Sequence, residues 1–196
     1  NRARQNYTAM LENIDRRCGR LIEAVAARGE LDNTLIVYTS DHGEMLGDHG
    51  LMAKMNFYRS SVRVPLIVRP PAGTTGRVET APIQAFDVAA TLLDAGAAPG
   101  LDRAPSRSLV PLVTGMDGAT RNCVVSMIRM RPGLTTWHAI SNGNWRATIN
   151  ADTGEVSELF DLVTNANETT NRVGDLNVDD ELDLLRNQLT STLEPA

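Results

Sequence analysis

Directly after an apolar run the sequence places Asp41-His42-Gly43, and it follows them with Gly47-Asp48-His49-Gly50-Leu51 and Lys54. A carboxylate beside a neutral imidazole offers a divalent cation one hard oxygen and one nitrogen, which is half of a coordination shell. Asp41 and His42 are therefore the candidate metal ligands. The same three residues can equally form a capped turn, with Asp41 as the cap, Gly43 permitting the turn and His42 held by hydrogen bonds. Lys54 is singular for another reason. Of 19 basic residues it is the one lysine and the rest are arginines, so arginine serves almost everywhere else. A compact ammonium on a flexible stem fits a tight pocket as a point charge on an oxyanion or as a proton donor, which a planar guanidinium does less well. Lys54 is thus a candidate catalytic and substrate-binding residue, the alternative being a lysine that merely occupies a surface loop. His49 completes the candidate catalytic set, as a leaving-group acid or as a histidine that only stabilises its loop.

These residues need a frame. From Tyr7 the apolar positions Met10, Leu11, Ile14, Leu21, Ile22 and Val25 recur with helical period, and Gly29 can close that helix. The run Thr34-Leu35-Ile36-Val37-Tyr38-Thr39 is β-branched, aromatic and continuously apolar, which predicts a strand covered on both faces and hence a parallel sheet flanked by helices. In such sheets the ligand crevice lies beyond the carboxyl ends of the strands, where Asp41 and His42 stand. Pro65-Leu66-Ile67-Val68 predicts a second short strand, Phe86 to Ala95 a helix, and the Pro-, Gly- and Ala-rich stretch from Ala97 to Ala119 a connector.

Beyond it the pattern turns antiparallel. Cys123 to Ile128 and Val156 to Leu162 read as strands, and Thr136 to Ile149 as a hairpin about Asn142-Gly143. That turn would set Ser141 opposite Asn144 and Ile140 opposite Trp145, leaving His138, Ile140, Trp145, Ala147 and Ile149 on one face, with His138 as packing. Asp179 to Leu193 closes the chain as a helix with Leu182, Leu185 and Leu189 on its stripe and acids at its start. The expected organisation is residues 1–118 as part of an α/β core with the metal loop, and 119–196 as a small antiparallel β subdomain with a C-terminal helix.

Asp41-His42-Gly43, Gly47-Asp48-His49-Gly50-Leu51, Lys54 and Arg63-Val64-Pro65-Leu66-Ile67-Val68 together resemble the sulfatase family of the alkaline phosphatase superfamily. The Asp-His pair is more similar to choline sulfatases and phosphonate monoester hydrolases than to the lysosomal arylsulfatases, which have Asp-Asn. The likeness continues through Asp15 and Gly19, Asp87 to Leu93 with Thr91, Ser108 to Leu112, Glu158 to Leu162, and Asn167-Glu168. It implies a helix-flanked, mostly parallel α/β core. It also implies hydrolysis of small-molecule sulfate esters by a formylglycine nucleophile at a divalent cation, with Asp41 and His42 on the metal and Lys54 on the sulfuryl group. Calcium is the family norm, while an imidazole ligand leans toward manganese or zinc.

The departures are as informative. Formylglycine needs Cys or Ser followed by x-Pro/Ala-x-Arg, whereas Cys18 precedes Gly19-Arg20-Leu21-Ile22 and Cys123 precedes Val124-Val125-Ser126-Met127. The nucleophile is therefore expected upstream, in an N-terminal half of the same enzyme, and the 196 residues alone are expected to be inactive. Tyr58-Arg59-Ser60-Ser61 replaces the acidic residues usual after the aromatic. A phosphonate or phosphodiester hydrolase of the same superfamily, or a non-catalytic module that keeps the loop as a relic, are the rival readings. A net charge of −5 gives no electrostatic basis for a nucleic-acid partner or a polybasic membrane anchor. Two cysteines make no disulfide framework, no stretch approaches the ~20 apolar residues of a membrane span, and nothing in the residues fixes a compartment.

Overall fold

The computed structural model describes residues 2–100, 105–116, 120–129, 131 and 133–193. Helix α1 (Arg2–Ala27) runs as its periodicity predicts. It stops where Gly29, at a φ of 72°, donates its amide to the Ala26 carbonyl at 2.9 Å. No residue of α1 is buried, and Leu21 of its apolar stripe is 68% exposed. A single 3₁₀ turn at Leu31–Asn33 leads into β1 (Ile36–Thr39).

Strand β1 pairs with β2 (Leu66–Arg69) in antiparallel sense, Ile36 opposite Arg69 and Thr39 opposite Leu66. This corrects the expectation of a mostly parallel sheet: among the described residues both sheets are antiparallel. A parallel return needs a crossover that carries the chain back along the sheet, usually a helix of several turns. The link between β1 and β2 contains a 3₁₀ turn at Asp48–Gly50, the four-residue α2 (Arg59–Val62) and a loop folded on itself, so the chain comes back reversed. Nor are the strands covered on both faces. Residues Ile36 to Tyr38 are half-buried, and Ile67 is exposed.

The second sheet is a meander of β3 (Val124–Ile128), β4 (Trp137–Ser141), β5 (Trp145–Asn150) and β6 (Val156–Asp161). Its hairpin register differs from the expected one by two residues: Ser141 faces Arg146 and Ile140 faces Ala147. The Asn142 carboxamide oxygen accepts the amides of Asn144 and Trp145, which puts Asn142 ahead of the turn and Gly143, at a φ of 91°, at its first central position. A slip of two preserves the faces, so the predicted inward set survives. Ile140, Ala147, Ile149 and Leu159 form the core with Leu185 and Leu189 of α5 (Asp179–Leu193). The other face carries Arg146, Thr148, Glu158 and Phe160, with Arg146 opposite Phe160 and Thr148 opposite Glu158.

Helix α3 (Asp87–Ala95) and the unexpected α4 (Val110–Thr114), inside the predicted connector, complete the elements. The expected domain boundary at 118–119 lies outside the described residues. Contacts across it are substantial. Buried Asp87 pairs with Arg121 and accepts the Arg107 and Gln84 amides, and the Gln84 side chain donates to the Val125 carbonyl of β3 at 2.8 Å.

Candidate active-site loop and its supports

Past Thr39 the chain turns sharply. The Asp41 carboxylate accepts the His42 amide at 3.0 Å, and the Ser40 hydroxyl donates to the His42 carbonyl at 2.8 Å. His42 Nδ1 lies 2.8 Å from the Gly43 carbonyl, an acceptor only, which assigns the ring proton to Nδ1 and leaves a lone pair on Nε2. Nε2 lies 3.4 Å from Asp41 Oδ2. Two neighbouring ligands at right angles on one cation, each about 2.4 Å from it, would stand about 3.4 Å apart. A backbone carbonyl holding the far ring nitrogen is also the usual support of a metal-bound histidine. The donor pair therefore fits a divalent cation. Among the described residues no third His, Cys, Asp or Glu joins it, so the pair supplies part of a shell.

The Asp41 carboxylate is 82% exposed. Desolvation raises its pKa, but the His42 amide, the charge of the protonated His42 ring, its own amide and the Lys54 charge together hold it below the usual carboxylate range. It is ionised at neutral pH, the form a cation requires. Gly43 is needed for a reason other than the turn. A Cβ there would sit 2.0 Å from the Ser60 carbonyl oxygen, because the Gly43 amide donates to Ser61 at 2.7 Å and brings the two backbones together.

The loop that follows is cinched at its base. The Met45 amide donates to the Ala53 carbonyl, the Ala53 amide donates to Glu44 Oε1 at 2.5 Å, and Met45 is fully buried between them. Leu46, His49, Ala53 and Met55 all adopt positive φ, between 48° and 77°, conformations that cost non-glycine residues of order 1–3 kcal/mol and persist only where surroundings impose them. Two of them flank Lys54. The ammonium makes no hydrogen bond or ion pair among the described residues, yet its charge acts on Asp41. From α1, Arg4 bonds the Leu46 carbonyl and Asp48, whose other oxygen accepts the Ser60 hydroxyl at 2.6 Å. The Ser60 hydrogen bond and then Arg4 hold the Asp48 carboxyl low, outweighing its desolvation.

Asp41 and His42 thus stand side by side, Lys54 is exposed on the loop and acts on Asp41 through its charge alone, and His49 sits elsewhere in the loop. Its ring stacks on Tyr58 with centroids 3.9 Å apart and planes 12° from parallel. His138 packs as expected on the hairpin face. It is 7% exposed, its Nε2 has no hydrogen-bond partner among the described residues, and burial followed by the charge of Arg129 pushes its pKa down.

Sequence reasoning placed Glu158 and Glu168 in stretches of family likeness but missed Arg146 and the bonds by which the three hold the loop from behind. Arg146, on the sheet face turned away from α5, donates to Glu168 at 2.5 Å and to Glu158 at 3.1 Å, and its guanidinium lies over the rings of Phe160 and Tyr58. Tyr58 donates its hydroxyl to Glu158 at 3.1 Å, and the Arg59 amide donates to Glu168 at 2.6 Å. Burial and then the Glu158 carboxylate raise the Tyr58 pKa, so its hydroxyl keeps its proton. The available signal was Arg146 itself, a charge at an alternate position of a strand whose other residues are apolar or small.

A sulfatase family model matches residues 1–97. The choline-sulfatase of Rhizobium meliloti is 35% identical over 176 residues, 87% of this chain, and the arylsulfatase of Clostridium perfringens is 29% identical over 98% of it. Among solved structures, the phosphonate monoester hydrolase of Agrobacterium radiobacter superposes with a TM-score of 0.83 at 28% identity over 93% of the chain. The chain spans 33%, 40% and 39% of these three relatives, respectively. With the order of motifs around Asp41, Lys54 and Pro65 reproduced on a sulfatase-like mixed α/β fold, the chain belongs to the sulfatase family of the alkaline phosphatase superfamily, corresponding to part of the length of its longer members.

Proposed function

We propose that this chain is the portion of a metal-dependent sulfuric ester hydrolase that supplies two cation ligands and the sulfate-binding ammonium. One observation carries the reading: Asp41 and His42 present Oδ2 and Nε2 3.4 Å apart at the end of β1, with Lys54 on the loop that follows them. A divalent cation bound there supplies Lewis-acid stabilisation of charge on the non-bridging ester oxygens. Lys54 binds the transferred sulfuryl group, its strained neighbours Ala53 and Met55 fixing where the ammonium starts. Charge is then neutralised at positions set before the reaction begins, which is the largest usual source of rate enhancement. His49, stacked on Tyr58, serves the loop; proton donation to the leaving group from its exposed edge is the alternative role.

The nucleophile is assigned, on family analogy, to a formylglycine preceding Asn1. Cys18 lies on α1, and Cys123 is buried against Thr192 of α5, neither within the required signature. The exposed stripe of α1 and exposed Ile67 support the view that further segments of a sulfatase core cover them. The similarity to phosphonate monoester hydrolases favours a second reading, hydrolysis of phosphonate or phosphate esters at the same site. The test is a comparison of aryl sulfate and phosphonate ester turnover by the intact enzyme carrying Lys54→Ala or Asp41→Asn. Each substitution should lower kcat/KM for the sulfate by a hundredfold or more. Undiminished sulfate turnover in either variant would defeat the assignment, and a consistent preference for the phosphonate would select the second reading.

A further inference from the structure

The C-terminal sheet reaches the loop at two adjacent residues, Tyr58 and Arg59, through two carboxylates that share one buried arginine. Glu158 comes from β6 and takes the Tyr58 hydroxyl; Glu168 comes from the turn beyond it and takes the Arg59 amide. Arg146 is 4% exposed and Glu168 2%, so neither is a surface pair that could be lost cheaply. Thr148 adds a third bond to each of Arg146 and Glu158, at 2.8 Å in both cases. Glu168 holds a φ of 55°, a strained conformation that places its carboxylate between Arg146 and the Arg59 amide. Upstream, the same segment is pinned at Ala53 by Glu44 and Met45. Lys54 therefore rides on a short span fastened at both ends, at Ala53 by its own loop and at Tyr58–Arg59 by a sheet about a hundred residues later in the chain.

We infer that Arg146, with Glu158 and Glu168, is a positioning centre for Lys54: it sets the ammonium through Tyr58 and Arg59 and touches no substrate itself. A purely structural salt-bridge cluster would need to bond side chains across the interface, but would have no reason to engage both residues that terminate the lysine's span. The inference rests on the proposed role of Lys54 for its catalytic meaning, while its geometric content stands apart from that role.

The experiment uses the intact enzyme reductively methylated with ¹³C-formaldehyde, the Lys54 dimethylamine signal being identified by its loss in Lys54→Arg. Tyr58→Phe removes one hydroxyl donor and leaves the ring; Glu168→Ala removes the acceptor of the Arg59 amide. Cys123→Ala, in the core on the opposite side of the sheet, is the control for general destabilisation. Both network variants should move the Lys54 signal toward that of an unstructured lysine while the control leaves it in place. Sulfate ester turnover in Tyr58→Phe should fall about tenfold in kcat, with cation affinity unchanged. A Lys54 signal unmoved in Tyr58→Phe and Glu168→Ala, or moved equally by Cys123→Ala, would overturn the positioning role. If Glu168→Ala does not fold, the Tyr58→Phe spectrum decides alone. A moved signal without sulfate ester turnover in the wild type would instead indict the proposed activity and leave the coupling intact.

Discussion

Replacing Gly43 by alanine tests the candidate site at its tightest point. The added Cβ would lie 2.0 Å from the Ser60 carbonyl oxygen, 2.9 Å from its carbon and 3.2 Å from the Ser61 oxygen, all backbone atoms that no rotamer change can move. Restoring an ordinary contact of about 3.2 Å requires the two backbones to part by more than 1 Å, on the order of the misplacement that costs a hundredfold in rate when it reaches reacting groups. Separation also breaks the 2.7 Å bond from the Gly43 amide to Ser61. Overpacking costs about 1–3 kcal/mol and the lost hydrogen bond about 1 kcal/mol, so destabilisation of about 2–4 kcal/mol is expected. For a chain of this size that is a fall in Tm of roughly 4–16 °C. Because Gly43 also receives the His42 ring proton, the same displacement should weaken cation binding, measured by calorimetry with Ca²⁺ and Mn²⁺. A Gly43→Ala protein that melts within a degree of wild type and binds cation unchanged would refute the close approach and its role in holding His42.

His49→Phe keeps a flat ring against Tyr58 and removes the titratable proton; if stacking is the role, kcat for an aryl sulfate by the intact enzyme stays within about twofold, whereas a proton donor would lose 10²-fold or more. His138 gives a pH prediction. Its folded pKa lies below its ordinary value, so the unfolded chain binds the proton first as pH falls, and stability is lost below about pH 6.5. Denaturant titrations at pH 7.5 and pH 5.0 should show that loss, and His138→Phe should reduce the difference between them; an unchanged difference would place the acid sensitivity elsewhere.

The helical and strand periodicities were legible where a single face was at stake. The closing helix from Asp179 to Leu193 has the predicted bounds, and His138, Ile140, Ala147 and Ile149 share the predicted face even though the hairpin slipped by two. The slip came from a competition that a dipeptide rule does not weigh, since Asn142 bonds the two amides after Gly143 and is thereby drawn out of the turn. Sheet sense was not legible from the apolar run at Ile36. Such a run reports how much apolar surface a strand carries, while direction depends on the connection, here a 3₁₀ turn and one helical turn inside a folded loop.

The loop's candidate ligands stood out in the sequence and the bonds that support the loop did not, and the reason is chemical. Asp41, His42 and Lys54 are unusual in their local sequence, so adjacency and rarity expose them. Glu158 and Glu168 lie in stretches that carry the family likeness and Arg146 looks ordinary along the chain, but what they bond is visible only when a meander brings two strands and a turn behind Tyr58. A strand with one face in an apolar core must turn its alternate residues somewhere, and polar residues there usually face water. In this chain they face a second packed layer, where Arg146 is nearly inaccessible and keeps one nitrogen without a partner among the described residues. Arginine, with a planar fork that meets two carboxylates and still lies over two rings, is the side chain suited to that position. Four non-glycine residues of the loop stand at positive φ, and besides the loop's own bonds Arg4 of α1 and the sheet behind Tyr58 and Arg59 hold it. With Arg146 as the proposed positioning centre, the sheet behind Tyr58 and Arg59 would be part of the geometry that sets Lys54.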